Sequence, residues 1–281
     1  MDLIKVFEDK IVVNNKCWFL PKATLESGQC FRVNETQDGA YQLWAGGNYA
    51  VIKSNKNCYE IITKTPQYFY DYFNFGVDYD ALTKKIFSLG ESGDVIENAK
   101  GLRIIHSDVF ETIVSFVISA NNNIKRIKLI ISRICEKAGE KTEFGYTFPS
   151  LSKFCSLTEE FFNSVGAGYR AKYLFKLTKE LPEFLSKDLS SLSTSELRKE
   201  LIKLSGVGPK VADCILLFAF NRYDSFPVDV WIERAYHKFV VENDLPRKKI
   251  SEELTNRYGA LSGYVQQFWF YYMITAKNNK N

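Results

Sequence analysis

Short alternating runs of apolar and polar residues fill the first quarter of the chain, and then the period lengthens. KIVVNNKCWFL, GQCFRV, AYQLWAG, NYAVIKS and CYEIITK are rich in β-branched and aromatic residues, which suit a pleated, half-buried surface. Asp38-Gly39, Gly46-Gly47 and Asn55-Lys56-Asn57 supply turn signals between them, so successive hairpins are expected. The pattern predicts an antiparallel sheet over residues 3–64. After Pro66 the apolar residues recur at helical spacing. It predicts helices over 77–90, 108–119, 124–139, 158–164, 171–186, 195–204, 209–220, 230–241 and 260–276, and a frayed tail at 277–281. There is no tandem repeat. The expected class is α+β, with an antiparallel sheet domain at 1–105 and an all-helical region at 106–281.

Composition narrows the chemistry. The 281 residues allow one large domain or two ordinary ones, and 46% hydrophobic with 25% charged residues describes a globular chain. No window approaches a membrane span. The opening MDLIKVFEDK has acidic residues and no apolar run, unlike a signal peptide. An intracellular protein is expected, in the cytoplasm or nucleoid, and the short length suits a prokaryotic source. The six cysteines form no C-x-x-C pair and there are only two histidines. Zinc and iron–sulfur sites are therefore not expected. A net charge of +4 permits nucleic-acid binding without demanding it.

One stretch raises a chemical question. LSGVGPKVADC, residues 204–214, reads as a glycine hairpin between two helices. Gly206 and Gly208 allow a sharp turn, and with Val207 they would gather backbone N–H groups into an anion site at a helix N-terminus. A DNA phosphate suits such a site, since the contact reads no sequence. Pro209 fits the first helical position. Lys210 follows, at the unfavourable end of a helix for a cation. Two readings stand: a solvated phosphate contact, or an amine nucleophile able to form a Schiff base. Asp229, in FPVDVWIERAY, also reads two ways. It is an ordinary N-cap, or a carboxylate facing the positive charge of a sugar losing its base.

LSGVGPKVADC followed by PVDV resembles the helix–hairpin–helix, Gly-Pro-Asp superfamily of base-excision DNA glycosylases. SGQCFR (27–32), SANNNIKRI (119–127), GAGYRAKYL (166–174) and YGALSGYVQQFWF (258–270) resemble the 8-oxoguanine DNA glycosylase family within it. The resemblance runs in order from about residue 20 to 275. It implies a TBP-like sheet domain ahead of the helical one, and a monomer acting on double-stranded DNA containing 8-oxoguanine. It implies that Lys210 displaces the damaged base from C1′ and that Asp229 stabilises the sugar cation. It further implies β-elimination of the 3′ phosphate. The base would first leave the stack. Gly28 would offer its carbonyl to N7–H, Gln266 would read the Watson–Crick edge, and Phe270 and Cys214 would sandwich the purine. Asn121, Arg126, Tyr169 and Arg170 would fill the gap and contact the opposite cytosine. No redox cofactor or catalytic metal is implied; a monovalent cation, K+ or Na+, could sit on the hairpin carbonyls.

The sequence also departs from that family. Trp231 stands where many animal members carry a phosphate-binding His, Gln267, Phe268 and Trp269 are bulky beside Gln266, and Pro209 replaces a polar residue often seen there. Three rival readings share features with the chain. Alkylated-base glycosylases have the same fold but lack the hairpin lysine. Endonuclease III-like and adenine-mismatch relatives carry a four-cysteine cluster absent here. A non-catalytic helix–hairpin–helix DNA-binding protein would need neither Lys210 nor Asp229.

Overall fold

The computed structural model describes residues 3–240 and 245–278. Six strands form one antiparallel sheet: β1 Ile4–Val6, β2 Lys10–Asn14, β3 Val33–Glu35, β4 Tyr41–Ala45, β5 Asn48–Ser54 and β6 Cys58–Thr63. Their spatial order is β1-β2-β6-β5-β4-β3. Alternation decides which face is buried. Ile11 and Val13 of β2 point inward, as do Leu43 of β4, Ala50 and Ile52 of β5 and Ile61 of β6. The helix Pro66–Tyr72, which periodicity over so few residues did not reveal, covers that face with Phe69 and Tyr72.

Two expected strands are shorter than their apolar patterns. KIVVNNKCWFL leaves the sheet after Asn14, and Trp18 turns away to donate its indole N–H to Leu102 O at 2.9 Å. GQCFRV enters the sheet only at Val33. Gly28 takes φ +78°, a left-handed conformation that no strand uses. Gln29 is buried and bridges Arg103 O at 2.9 Å and Ile105 N at 3.0 Å. The segment is a buried turn, not a strand.

The helices expected from 77 onward are present, with ends shifted by at most two residues. The tail expected to fray begins inside the final helix, Ser262–Asn278, and residues 279–281 lie outside the described ones, as does residue 241 of the expected 230–241 helix. Five short or weakly patterned helices went unread. The longest, Arg247–Tyr258, buries only Ile250, Leu254 and Tyr258, a stripe one residue wide per turn.

Two apolar cores result. One lies under the sheet, and the larger one joins the helices. Tyr79, Leu82, Ile86, Val95, Leu102 and Ile104 belong to the larger core, so the segment after the sheet packs with the C-terminal helices. Two buried charges tie these layers. Arg103 is 1% exposed and donates to Phe73 O at 2.8 Å, Trp18 O at 2.9 Å and Val77 O at 3.0 Å. Glu91 accepts Trp269 Nε1 at 2.8 Å, Tyr258 Oη at 3.1 Å and Ser92 N at 2.9 Å. Each charge is offset by several hydrogen bonds, as burial requires. Glu91 thereby fixes the helix that carries Gln266 and Phe270.

Candidate active site

The hairpin is built from two helices, Thr194–Ile202 and Pro209–Ala219. Gly206 has φ +83°, and a Cβ there would stand 2.9 Å from Val117 Cγ1 and 3.0 Å from Tyr173 Cβ. Both conformation and space demand glycine. Gly208 caps the second helix at φ −88°, and a Cβ there meets nothing within 4 Å. Its surroundings are open, as an approaching anion would need. Gly206→Ala is therefore expected to cost about 1–3 kcal/mol of stability and lower the melting temperature. Gly208→Ala should keep the melting temperature and weaken DNA binding. Calorimetry and a binding titration on the pair check this; equal melting losses in both would contradict the division of roles.

Lys210 occupies the first turn of the second helix and is half-buried. Its Nζ lies 5.5 Å from the centroid of the Phe116 ring. Cys214, four residues on, shares its face. Burial pushes the Cys214 thiol up to about 11, the nearby Lys210 ammonium pulls it back, and Asp213 and Asp229 raise it further. Burial thus keeps the thiol neutral.

Asp229 caps the helix Val230–Phe239. Its Oδ1 accepts Trp231 N at 2.9 Å and Ile232 N at 3.0 Å. Both bonds fall on one oxygen, so Oδ2 is not used by the cap. The ordinary structural reading is therefore correct, and it leaves the second oxygen for other work.

The residues expected to hold a purine come from opposite ends of the chain, and Gly28 and Phe270 meet. An added Cβ on Gly28 would stand 3.5 Å from Phe270 Cε1, so the turn and the ring are in contact range. Gln266 is 4% exposed; its Nε2 donates to Pro227 O at 3.2 Å and its Oε1 accepts Gln267 Nε2 at 2.9 Å. That ties the amide to the loop that carries Asp229. Phe268 and Trp269 turn into the core at 0% and 1% exposure, so their bulk is taken up in packing. A cavity of about 20 Å³ lined by Tyr72, Glu111 and Phe116 has room for one water, not a base.

The three asparagines divide three tasks. Asn122 Nδ2 bonds Ile118 O at 3.1 Å at the end of helix Val109–Ser119, and Asn123 caps helix Ile124–Ala138 through Arg126 N at 2.9 Å. Asn121, which precedes them, is exposed, at φ +50°. Arg126 is also exposed, and its Nη2 reaches Gly166 O at 3.4 Å. Arg170 is bound into the fold. It is 3% exposed and donates to Ala120 O at 2.9 Å and Asn121 O at 2.7 Å. Tyr169, 55% exposed, adds its hydroxyl to Ala120 O at 3.1 Å and stacks under Arg170 at 4.4 Å. These two residues hold the Asn121 loop, and the Arg170 fork is spent on backbone.

The profile described as the 8-oxoguanine DNA glycosylase N-terminal domain matches residues 11–113, and that of the HhH-GPD superfamily base excision DNA repair proteins matches 114–259. A crystal structure of the Clostridium acetobutylicum 8-oxoguanine glycosylase/lyase, bound to double-stranded DNA with cytosine opposite 8-oxoguanine, superposes with a TM-score of 0.90. It is 34% identical over 100% of this chain and 99% of that one. This chain belongs to the 8-oxoguanine DNA glycosylase family. A probable N-glycosylase/DNA lyase of Methanothermobacter thermautotrophicus is 32% identical over 62% of this chain and 64% of its own length. An N-glycosylase/DNA lyase of Arabidopsis thaliana is 31% identical over 63% of this chain and 53% of its own. The chain thus spans less than two thirds of the curated relatives it matches. These relatives include an archaeon and a plant, so they do not single out a prokaryotic source.

Supports for the 8-oxoguanine glycosylase hairpin were missed in the sequence. Glu180 accepts Ser205 N and Ser205 Oγ, both at 2.7 Å, and so pins the hairpin to helix Ala171–Ser186. Arg198 grips Asp213 with Nε at 2.7 Å and Nη2 at 3.0 Å, joining the two hairpin helices. Burial raises the Asp213 carboxyl to about 6 even so. Only the fifteen-residue offset of Arg198 and Asp213 across a predicted hairpin could have signalled that pair. Among the described residues no three of His, Cys, Asp and Glu are grouped to hold a metal, and no helix is long and apolar enough to cross a membrane.

Proposed function

We propose that this chain is a bifunctional DNA glycosylase and lyase that removes 8-oxoguanine from duplex DNA. The observation that carries the reading is the contact of Gly28 with Phe270, with Lys210 on the first turn of the hairpin helix and Asp229 capping the next helix through one oxygen only. The Lys210 amine attacks C1′ of the everted nucleotide, the C1′–N bond breaks, and the purine leaves with its electron pair. Asp229 Oδ2 faces the positive charge that develops on the sugar. Loss of the amine proton and opening of the ring leave a Schiff base. Loss of a C2′ proton then expels the 3′ phosphate and cuts the strand. The Gly28 carbonyl selects the lesion, because 8-oxoguanine carries a proton at N7 where guanine has a lone pair; a buried carbonyl facing that lone pair is left unpaired.

The hairpin is fit to hold a monovalent cation, although the chemistry above does not pass through it. The carbonyls of Leu204 and Gly208 accept Val207 N and Ala212 N. Those of Ser205, Gly206 and Val207 remain without a backbone donor among the described residues. These three would hold K+ or Na+ and would favour a nearby phosphate.

The test is incubation with duplexes holding one 8-oxoguanine opposite each base in turn, with borohydride present. A covalent adduct strongest opposite cytosine is expected. An equal adduct opposite all four bases would keep the chemistry and remove Asn121 and Arg126 as readers of the partner base. Tight binding with no adduct would make the chain a DNA-binding protein. An adduct on alkylated bases instead would favour the other glycosylase class of the same fold.

A further inference from the structure

Helix Val230–Phe239 carries a second feature next to the Asp229 cap. Arg234 stands three residues after Trp231, with its guanidinium carbon 5.0 Å from the centroid of the indole. Helical side chains lean toward the N-terminus. The stack therefore brings the guanidinium back to the level of the first turn, where Trp231 N donates to Asp229. Its neighbours are spent on other partners. Glu233 pairs with Arg247 at 3.0 Å and Lys238 donates to Tyr272 Oη at 3.3 Å. Arg234 is exposed, and among the described residues it has no ion-pair or hydrogen-bond partner. Its planar set of donors is thus held over a ring and left unspent.

We propose that Arg234, shelved on Trp231, grips a phosphate of the damaged strand beside the everted nucleotide. The proposal rests on the reading of the chain as a DNA glycosylase working at Asp229. A guanidinium fork matches two phosphate oxygens, and stacking lowers the ordering cost of using it. The contact reads no base, which suits an enzyme that must act in any sequence. It also lies next to the carboxylate, so it would hold the sugar of the everted nucleotide against Asp229.

The experiment measures binding to a duplex with a non-cleavable abasic analogue opposite cytosine, across a salt series. Arg234→Gln should weaken binding about tenfold at low salt, as for other charge-assisted contacts. It should also lower the slope of log affinity against log salt by about 0.9, the value for one lost phosphate contact. Arg234→Lys should keep the slope, and both variants should melt with the wild type. Neutral methylphosphonate linkages are then placed singly around the lesion. One linkage should weaken the wild type and leave Arg234→Gln unaffected. An unchanged slope in Arg234→Gln overturns the proposal, and so does the lack of any such single linkage. If the wild type does not prefer the lesion duplex to intact duplex, the glycosylase reading itself fails, and this proposal with it.

Discussion

Lys210→Gln should lose covalent capture, base release and strand cleavage together, by roughly 10³-fold or more, the scale seen when a nucleophile is removed. The glutamine keeps length and polarity but has no amine that can form a Schiff base. Lys210 is half-buried and makes no salt bridge among the described residues, so the fold should survive, and binding to damaged duplex should persist. Single-turnover release of 8-oxoguanine, measured beside a binding titration, separates the two. Normal release by the variant would end the Schiff-base assignment. Loss of binding in parallel with catalysis would return Lys210 to the role of a phosphate contact.

Asp229 offers the second large effect, because its two tasks use different properties. Asn caps a helix about as well as Asp, so Asp229→Asn keeps the bonds to Trp231 N and Ile232 N and removes only the charge. Base release should slow by roughly 10²–10³, as when one preorganised electrostatic group is deleted, with the melting temperature unchanged. Asp229→Ala loses the charge and the cap, and should add a stability loss of about 1 kcal/mol. If Asp229→Asn turns over normally while Asp229→Ala melts early, the residue is a cap and nothing more.

Much of this was legible before any coordinates. The hairpin, the Asp229 cap and the Lys210–Cys214 pairing depend on residues close in sequence, where backbone geometry alone sets the outcome. The strands at 48–54 and 58–63 followed from alternation bounded by turn residues. The failures are equally physical. GQCFRV has the composition of a strand, but Gly28 and the buried bonds of Gln29 force a turn. The bonds of Arg170 to the Ala120 and Asn121 carbonyls were not legible either, since they join segments fifty residues apart. Glu180 and Asp213 were not singled out, since each acquires its meaning from a partner on another helix.

The sequence by itself determined the longer, strongly patterned elements, the position of the hairpin and the family, because these reside in local periodicity and in motifs read in order. Only the tertiary structure decided which residues share one space. Gly28 lies near the start of the chain and Phe270 near its end, and they meet because the final helix is anchored by Glu91 through Trp269 and Tyr258. Burial and hydrogen-bond satisfaction are summed over the whole fold, and no window of sequence contains that sum. The same sum leaves the donors of Arg234 unspent and those of Arg170 committed, a difference that two arginines in a sequence cannot express.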